Sequence, residues 1–144
     1  MNKHRGKQKL KTARCVLWCD DAIFLAVHSS FWARPNRRWG LPGGGIEWRE
    51  SPERAVSREL GEELDIYVPE HDLIELGVFH YKRGDHIVYG AEVPTQIQEY
   101  DDSELLDIGW FNFNEINDLE SSGKLHAGYE REAIERYLKF LKKI

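Results

Sequence analysis

Three glutamates close together in the sequence are its strongest candidates for chemistry. Glu59, Glu62 and Glu63 fall within one stretch of five residues, and at 100° per residue of an α-helix their side chains share an arc of about 100°. A solvated acidic helix face is one interpretation, but like charges at i,i+4 and Glu late in a helix are each unfavourable. A bound divalent cation would compensate that repulsion. Carboxylates are ligands that suit Mg²⁺ and Mn²⁺, and Mg²⁺ commonly bridges protein carboxylates to substrate phosphates.

Three consecutive glycines precede these glutamates. Gly43, Gly44 and Gly45 allow the backbone to take φ > 0 and to approach a ligand closely. An ordinary turn explains such a run equally well when it stands alone. Beside a carboxylate-bearing helix, the run favours a bend that faces a ligand.

A helix must hold the glutamates in place, and its start is marked in the sequence. Ser51 is a good N-cap and Pro52 fits the first helical position, so a helix is predicted from there to about Leu64. An apolar stripe of this helix is predicted to face a sheet: Val56, Leu60 and Leu64. Arg58, on the same helix, can pair with Glu62 or reach back toward Glu50.

The other elements follow from strand alternation, turn residues and helical stripes. Strands are predicted over Ala13–Cys19, Ala22–His28, Ile66–Val68, Leu73–Lys82, His86–Val93 and Leu106–Phe111. Loops are predicted over Phe31–Trp39 and Thr95–Ser103, and turns at Asp20-Asp21 and Arg83-Gly84-Asp85. A short helical turn over Asn114–Leu119, capped by Asn114, and a final helix over Ala127–Lys142 complete the order. This order predicts a mixed sheet covered by helices, an α/β or α+β sandwich.

Charge is distributed unevenly along the chain. The 144 residues include 20 basic and 25 acidic ones, a net charge of -5. The first fourteen residues hold six of the basic side chains and no acid, so the remainder has a net charge of -11. Such an acidic body does not suit nonspecific binding to a nucleic-acid backbone, and no stable nucleic-acid partner is expected. Residues 1–12 are predicted to form a solvated basic arm, with an anion-binding arm as the alternative, and residues 13–144 a single domain.

The sequence offers no sign of a membrane span or a disulfide scaffold. No run approaches 18 apolar residues, and the basic start lacks the apolar stretch of a secretory signal, so no membrane partner is expected. Cys15 and Cys19 are too few for a disulfide framework and do not complete a zinc pattern. We therefore expect reduced thiols in or near the core and a cytoplasmic protein. A homodimer is compatible with the sequence.

The spacing of the candidate residues resembles the Nudix box, G-x5-E-x7-R-E-U-x-E-E-x-G-U, where U is a bulky apolar residue. The match runs from Gly44 through Glu50 to Arg58–Ile66, 23 of 144 residues. The preceding segment Trp39–Gly43 also resembles the family's approach to the box. A chance match of this kind is roughly a one-in-a-million event at average residue frequencies. Asp65 replaces the family's glycine at the helix end, where glycine serves a left-handed cap, and we expect this to affect stability more than chemistry.

The resemblance implies an Mg²⁺- or Mn²⁺-dependent hydrolase of the Nudix fold, an α/β/α sandwich, that cleaves the diphosphate link of a nucleoside diphosphate derivative. By position, the residues that resemble metal ligands are Glu59, Glu62 and Glu63, joined by Glu50 and by Glu104 on a late loop. The competitors for the role of Glu104 are Glu99, Asp101 and Asp102. Arg58 resembles the arginine that orients the carboxylates, and the glycines Gly43, Gly44 and Gly45 are expected to contact substrate.

The chemistry implied is consistent with the charge of a diphosphate. Cations would neutralise the bridge and lower the pKa of a water, a carboxylate would accept that water's proton, and phosphorus would be attacked in line. By the resemblance, one of Glu59, Glu62 and Glu63 can also be this base.

Substrate specificity is expected to come from residues outside the box. Aromatic and basic residues crowd the preceding loop: Trp32, Arg34, Arg37, Arg38 and Trp39. Arginine can hold phosphate and tryptophan can stack on a base, so Arg38 and Trp39 are predicted substrate contacts. A core tryptophan and solvated arginines are the alternative. Further candidates that the sequence leaves undecided are His80, Tyr81, His86, His126 and Tyr129.

The first functional hypothesis is a nucleoside triphosphate pyrophosphohydrolase. Nucleotide sugars, dinucleoside polyphosphates and capped RNA ends are alternative substrates, whereas the extra motifs of coenzyme A and ADP-ribose subfamilies are not found. Two hypotheses come from other classes. One is a non-catalytic nucleotide-sensing module, which the intact glutamates disfavour, and the other is an isomerase or RNA-binding relative.

Overall fold

The computed structural model of the chain describes residues 10–30 and 33–144. Most of the predicted basic arm therefore lies outside the described residues, as does Trp32. In chain order the elements are β1 (Leu10–Cys19), β2 (Ala22–His28), α1 (Ala33–Asn36), β3 (Gly43–Gly45), α2 (Pro52–Leu64), a 3-10 turn (Glu70–Asp72), β4 (Ile74–Tyr81), β5 (Gly84–Glu92), β6 (Leu105–Phe111), α3 (Phe113–Ser121) and α4 (Glu130–Phe140).

The strands form one mixed sheet in the order β4-β5-β1-β2-β6, with short β3 paired to β1. β1 and β5 are parallel, and the other pairs are antiparallel. The predicted mixed sheet is confirmed. Its centre is β1, which contacts β5 along one edge and both β2 and β3 along the other.

Two apolar clusters, one on each face of the sheet, make the fold three-layered. One face packs against α2 through its stripe of Val56, Leu60 and Leu64. The opposite face packs against α3 and α4, which contribute Ile116, Ala133, Ile134, Tyr137 and Leu138. Strand residues alternate between the two clusters, as a strand buried on both faces requires. The predicted α/β/α sandwich is confirmed.

The N-terminal hairpin and the helix α2 form where the sequence predicts them. Asp20 and Asp21 both have positive φ, 51° and 59°, the conformation of a tight hairpin turn that aspartate tolerates. Ser51 caps α2 by accepting a hydrogen bond from the Arg54 N–H at 3.1 Å. The helix ends at Asp65, which is left-handed at φ 55° and donates its N–H to Gly61 O at 3.0 Å.

Two strand predictions are wrong in detail. Ile66–Val68 forms no strand; Val68 is buried beneath α2, and its carbonyl accepts a hydrogen bond from the Ser57 hydroxyl. The hairpin turn consists of Lys82 and Arg83, not of a glycine-centred triplet. Gly84 already belongs to β5, where a Cβ atom would collide with the side chain of Lys11, so this glycine serves close packing and not the turn.

Both C-terminal helix starts also differ from prediction. Asn112, not Asn114, caps α3 through a reciprocal capping box with Glu115. The last helix begins at Glu130, because Gly128 has φ 101° and the segment before Glu130 is a loop. The predicted loop over Phe31–Trp39 contains the short helix α1.

Both cysteines are free and buried, as expected of reduced core thiols. Within the described ranges, no helix is long and apolar enough to cross a membrane.

Candidate active site

Arg58, half-way along α2, gathers several carboxylates of the candidate site. Its guanidinium makes a two-pronged contact with Glu50, with Nε 2.8 Å from Oε2 and Nη2 3.0 Å from Oε1. Nη1 donates to Glu59 at 3.2 Å and to Glu62 at 3.3 Å, and Nη2 donates to Gly45 O at 2.9 Å. This confirms the predicted reach of Arg58 toward Glu50 and its pairing along the helix.

Glu50 serves as the anchor of Arg58 in this arrangement. Its side chain is 6% exposed, and hydrogen bonds from Arg58 lower the pKa of the carboxyl below its usual range. Its Oε1 atom also accepts from the Glu47 N–H at 2.9 Å. Both oxygens are thus engaged. Glu50 is not one of the three carboxylates that converge, which are Glu59, Glu62 and Glu104.

Three carboxylates of the site converge. Oxygen atoms of Glu59, Glu62 and Glu104 all lie within 4.8 Å of one another. Burial raises the pKa of Glu59, and the guanidinium of Arg58 opposes that effect. Three hard oxygen donors this close fit a divalent cation of the Mg²⁺ or Mn²⁺ type, whose positive charge would relieve their mutual repulsion.

Glu104 reaches the group from a loop that is held in place by backbone hydrogen bonds. The Ser29 N–H donates to Glu104 O at 2.9 Å, and the Asp101 N–H donates to Glu63 O at 2.9 Å. The Asp101 carboxylate accepts from the N–H and hydroxyl of Ser103 and so stabilises a turn. Among the described acidic residues of this loop, Glu104 is the one that joins the convergent group.

Glu63 points into a different environment from Glu59 and Glu62. It is buried, accepts a hydrogen bond from the Gly43 N–H at 3.1 Å, and lies 3.5 Å from His28 Nδ1. Burial raises the pKa of Glu63 to about 8 and lowers the pKa of His28 to about 4. Both shifts favour the neutral form of the side chain.

The glycine bend brings the backbone against these carboxylates. Gly43 and Gly44 pair with Arg14 and Ala13 of β1. Gly43 has φ 130°, and a Cβ atom there would lie 2.3 Å from Ala13 O, so only glycine fits. A Cβ atom on Gly44 would lie 2.6 Å from Oε2 of Glu59. The bend therefore faces the carboxylates, as the sequence predicts.

A cleft of about 430 Å³ extends from the bend and the carboxylates. The Arg14 guanidinium donates to Leu41 O at 3.2 Å and to Gly43 O at 3.1 Å beside this cleft. Sequence reasoning missed several residues of its lining, and the ionisable ones among them are Arg14, His28 and Glu130. A charged residue inside the otherwise apolar strand Ala13–Cys19 was a usable signal for Arg14. Glu130 carried no comparable signal, because acidic residues are common at helix starts.

Three described residues of the preceding loop do not line the cleft: Arg37, Arg38 and Trp39. Trp39 packs edge-on against Phe111, with ring centres 5.0 Å apart, and does not line the cleft. Arg38 is exposed and lies in a separate depression with Ser122 and Lys124. Arg37 pairs with Asp107 at 3.3 Å on the surface. Trp39 is therefore packed against another side chain, as the alternative interpretation of this loop expects.

Four of the five residues that the sequence left undecided line the cleft: Tyr81, His86, His126 and Tyr129. The fifth, His80, pairs with Asp85 at 2.9 Å on the exposed side of the β4–β5 hairpin. Strand alternation separates His80 from Tyr81, because successive residues of a strand point to opposite faces.

Comparison with known proteins agrees with this geometry. A family model described as "NUDIX domain" matches residues 9–133. The chain is 33% identical over 116 residues to the uncharacterized Nudix hydrolase YvcI of Bacillus subtilis (strain 168), covering 76% of this chain and 70% of that protein. It is 30% identical over 129 residues to diphosphoinositol polyphosphate phosphohydrolase 2 of Rattus norvegicus, covering 83% of this chain and 68% of that protein.

Solved structures show the same architecture. A MutT NUDIX hydrolase from Burkholderia pseudomallei matches with a TM-score of 0.68 and 25% identity, covering 89% of this chain and 96% of that one. The NUDIX domain of Shewanella oneidensis NrtR, solved in complex with ADP ribose, matches with a TM-score of 0.71 and 23% identity. That match covers 98% of this chain and 94% of the Shewanella chain, and it bears on the fold alone.

Proposed function

Because the chain belongs to the NUDIX domain family and is a hydrolase, we propose that it cleaves the diphosphate link of a nucleoside triphosphate and releases pyrophosphate. The family supports the coarser statement, pyrophosphohydrolysis of nucleoside diphosphate derivatives. The observation that carries the proposal is the convergence of Glu59, Glu62 and Glu104, two of which, Glu59 and Glu104, line a cleft of about 430 Å³.

Divalent cations are part of this proposal. Glu59, Glu62 and Glu104 would hold Mg²⁺ or Mn²⁺, with Glu63 available from the adjoining part of the cleft. Such a cation supplies charge neutralisation of the diphosphate and acidification of a water molecule. Because a carboxyl must be deprotonated to ligate a metal, we expect cation binding to release a proton from a site that includes Glu63, whose pKa burial raises to about 8.

The chain's own residues would then orient the reaction. Arg58 fixes Glu59 and Glu62 relative to the backbone at Gly45, so the carboxylates do not have to be ordered when the substrate arrives. A carboxylate of this group, Glu59 or Glu63, would accept the proton of the attacking water. Arg14 brings a positive charge to the cleft for a phosphate of the substrate.

The test is turnover with and without one carboxylate. We expect wild-type protein with Mg²⁺ to release pyrophosphate from at least one nucleoside triphosphate, and Glu62→Gln to reduce kcat by two orders of magnitude or more. Glu62 is exposed, so this variant should keep the wild-type circular dichroism spectrum and melting temperature. The matched control is Glu53→Gln on the first turn of the same helix, away from the convergent group. Wild-type turnover in Glu62→Gln would overturn the metal-ligand assignment.

A nucleotide sugar or a dinucleoside polyphosphate is the second substrate candidate. Both contain the same diphosphate link, and the ADP ribose bound by the Shewanella domain is a nucleoside diphosphate derivative. The rat relative is named for diphosphoinositol polyphosphates. A substrate panel should therefore include all four classes, with nucleoside triphosphates expected to give the highest kcat/KM.

A cytoplasmic location is also proposed. The two free, buried cysteines support it, because proteins of reducing compartments keep their thiols reduced.

A further inference from the structure

His28 lies between the glycine bend and α2 and has no part in the hydrolysis proposed above. It is the last residue of β2, and its side chain, 30% exposed, lines the cleft. Ring atom Nε2 is 3.0 Å from Leu41 O, and ring atom Nδ1 is 3.5 Å from Oε2 of Glu63. The imidazole therefore connects the segment before the bend with a carboxylate of α2.

The Leu41 carbonyl determines which way the ring of His28 faces. A carbonyl oxygen only accepts hydrogen bonds, so Nε2 of His28 must carry the hydrogen. The Arg14 guanidinium, with Nη1 3.5 Å from Nε2, donates to the same carbonyl at 3.2 Å. Both atoms are donors, so they share Leu41 O and do not bond each other. Because Nε2 is engaged in this way, Nδ1 is the ring nitrogen that His28 presents to Glu63.

The segment that contains Leu41 is a rigid support for this ring. Gly40 exchanges two backbone hydrogen bonds with Ala26 of β2, at 2.9 and 2.8 Å, and Pro42 O accepts a hydrogen bond from β1 at 3.0 Å. Leu41 itself is buried. The carbonyl that binds His28 is therefore fixed between two central strands, and the ring takes a fixed orientation from it.

Glu63 is contacted at both of its carboxylate oxygens. Oε1 accepts a hydrogen bond from the Gly43 N–H at 3.1 Å, and Oε2 faces His28. Fixing a glutamate side chain costs rotamer entropy, and a carboxylate that is oriented beforehand does not incur this cost when the substrate binds. His28 and the Gly43 N–H together supply that orientation.

Arg58 does not perform this task for Glu63. Its guanidinium contacts Glu59 and Glu62, whereas no ion pair joins it to Glu63 among the described residues. The carboxylates of α2 are therefore oriented by two separate sets of contacts. Arg58 orients one pair, and His28 with the glycine bend orients Glu63.

We propose that His28 is a positioning residue for the hydrolysis, which fixes the carboxylate of Glu63 in the orientation that the reaction uses. This inference rests on the proposed hydrolytic function. Direct contact with the substrate is the competing role, since His28 lines the cleft. The two roles differ in their kinetic effect, because a positioning residue acts on the reaction step through Glu63, whereas a substrate contact acts on binding.

The experiment uses two amides, each of which replaces one side of the imidazole. The amide of asparagine is as many bonds from Cβ as Nδ1, so His28→Asn keeps a donor toward Glu63 and loses the bond to Leu41 O. The amide of glutamine extends as far as Nε2, so His28→Gln keeps the bond to Leu41 O and loses the contact with Glu63. His28→Leu loses both. The matched control is His71→Leu, because the His71 side chain is 84% exposed and lies outside the cleft.

We expect His28→Leu and His28→Gln to lower kcat for nucleoside triphosphates about 10- to 100-fold, the range found for hydrogen-bond partners of metal-ligating side chains, with KM close to that of wild type. His28→Asn should retain most of kcat, and His71→Leu should resemble wild type. Circular dichroism and melting temperatures establish that each variant is folded. A raised KM at wild-type kcat in His28→Leu would show substrate contact and overturn the inference, as would a His28→Asn protein no more active than His28→Gln.

A double-mutant cycle with Glu63→Asp tests whether the effect of His28 passes through Glu63. The shorter aspartate withdraws its carboxylate from Nδ1, so His28→Leu should lower kcat of the Glu63→Asp protein by no more than about twofold, the usual error of additivity. An equal loss in both backgrounds would mean that His28 acts independently of Glu63. Wild-type kcat in Glu63→Asp would also refute the inference, because the position of the carboxylate would then not matter.

Nitrogen-15 NMR of the His28 ring gives a measurement that does not depend on turnover. We expect the tautomer with hydrogen on Nε2, and a shift of the Nδ1 resonance in Glu63→Asp but not in Glu53→Gln, on the first turn of α2. Hydrogen on Nδ1 alone, or an Nδ1 resonance that Glu63→Asp leaves unchanged, would contradict the contact. If wild type hydrolyses no nucleotide, the proposed function fails, and this measurement still decides whether His28 holds Glu63.

Discussion

At the scale of single residues, Arg58 connects the carboxylates to one another and to the backbone. It contacts Glu50, Glu59 and Glu62 and the Gly45 carbonyl. Glu50 is nearly buried, so its charge depends on this partner. Removing one member of such a buried pair leaves an uncompensated charge. The interaction therefore supports stability and site geometry together.

We predict that Arg58→Met lowers the free energy of unfolding by about 2–4 kcal/mol and lowers kcat/KM as well. Urea denaturation and pyrophosphate release measure the two effects. Arg54→Met is the control, because Arg54 is exposed on the same helix, and it should change stability by no more than about 0.5 kcal/mol. An Arg58→Met protein as stable as the control would show that Glu50 does not need its partner.

Histidines on the cleft predict a pH dependence of stability. Burial lowers the pKa of His86 below 6.5, so the unfolded chain binds a proton that the folded protein excludes. Stability is therefore present above about pH 6.5 and is lost as the pH falls through the folded pKa. One such group contributes at most about 1.4 kcal/mol per pH unit. Burial also lowers the pKa of His28 and of His126, so the effect has more than one source.

The measurement is the free energy of unfolding between pH 7.5 and pH 5.5 for wild type and His86→Phe. The free energy of unfolding should change less with pH in His86→Phe than in wild type, because the unfolded variant has one histidine fewer to protonate. The pH dependence should not vanish, since His28 and His126 remain. An unchanged slope would mean that His86 is protonated in the folded protein.

Residue types and spacing were sufficient to predict most of the convergent site. Glu59, Glu62 and Arg58 follow from helical geometry and the box pattern, and the structure brings them together. The environment of Glu63 was not predictable, because its partners Gly43 and His28 meet it only in the folded sheet. Glu104 was predicted by its position relative to the family pattern, with acidic neighbours on the loop as competitors, and the structure places Glu104 in the convergent group.

At the scale of elements, the relation between the glycine bend and α2 sets the position of Glu59. We predict that Gly44→Ala lowers kcat/KM at least about tenfold, since the new methyl group would meet the Glu59 carboxylate at 2.6 Å and a small misplacement of this kind can reduce rates strongly. The fold should survive, because the atoms in conflict are the end of a flexible side chain.

Gly45→Ala is a closely matched control for that change. A Cβ atom on Gly45 meets nothing within 4 Å, so this variant should keep wild-type activity. Equal activity of the two variants would mean that Glu59 can move aside without consequence. Melting temperatures of both proteins would show whether stability contributes.

The C-terminal cap of α2 predicts a stabilising substitution. Asp65 occupies the left-handed region at φ 55°, where glycine is favoured, and it is exposed. Asp65→Gly should raise the free energy of unfolding by up to about 1 kcal/mol and leave kcat unchanged. Asp118→Gly, in the exposed interior of α3, should instead lower the free energy of unfolding by a few tenths of a kcal/mol. A loss of stability in Asp65→Gly would contradict this account of the cap.

Element order was more predictable from sequence than element boundaries. Caps and turns marked by Ser51-Pro52 and Asp20-Asp21 were recognised correctly, because local hydrogen bonds determine them. Gly84 was misassigned to a turn, since the packing of Lys11 against it is a contact between distant strands. Val68 was misassigned to a strand because its apolar side chain indicates burial, and burial alone does not reveal which element covers a side chain.

At the scale of the whole molecule, the convergent carboxylates join two distant parts of the chain. Glu59 and Glu62 lie on α2, and Glu104 lies on the loop before β6. A cation bound by all three would bind the folded state only, and it would therefore raise the free energy of unfolding. At a cation concentration 100 times its dissociation constant, the gain is about 2.7 kcal/mol.

We predict that Mn²⁺ or Mg²⁺ raises the melting temperature of wild type and that Glu104→Gln reduces this shift by more than half. Glu99→Gln, on the same loop but outside the convergent group, is the control and should keep the wild-type shift. Sodium chloride at matched ionic strength corrects for screening. An equal shift in wild type and Glu104→Gln would remove Glu104 from the cation site.

The position of β1 also has a consequence for synthesis on the ribosome. β1 is synthesised before its parallel partner β5, which ends at Glu92, and Tyr129, which lines the cleft, follows later still. Until β5 has been synthesised, one edge of β1 has no hydrogen-bonding partner and can associate with other nascent chains. The strand order therefore leaves this edge exposed during synthesis, whereas β5 covers it in the finished fold.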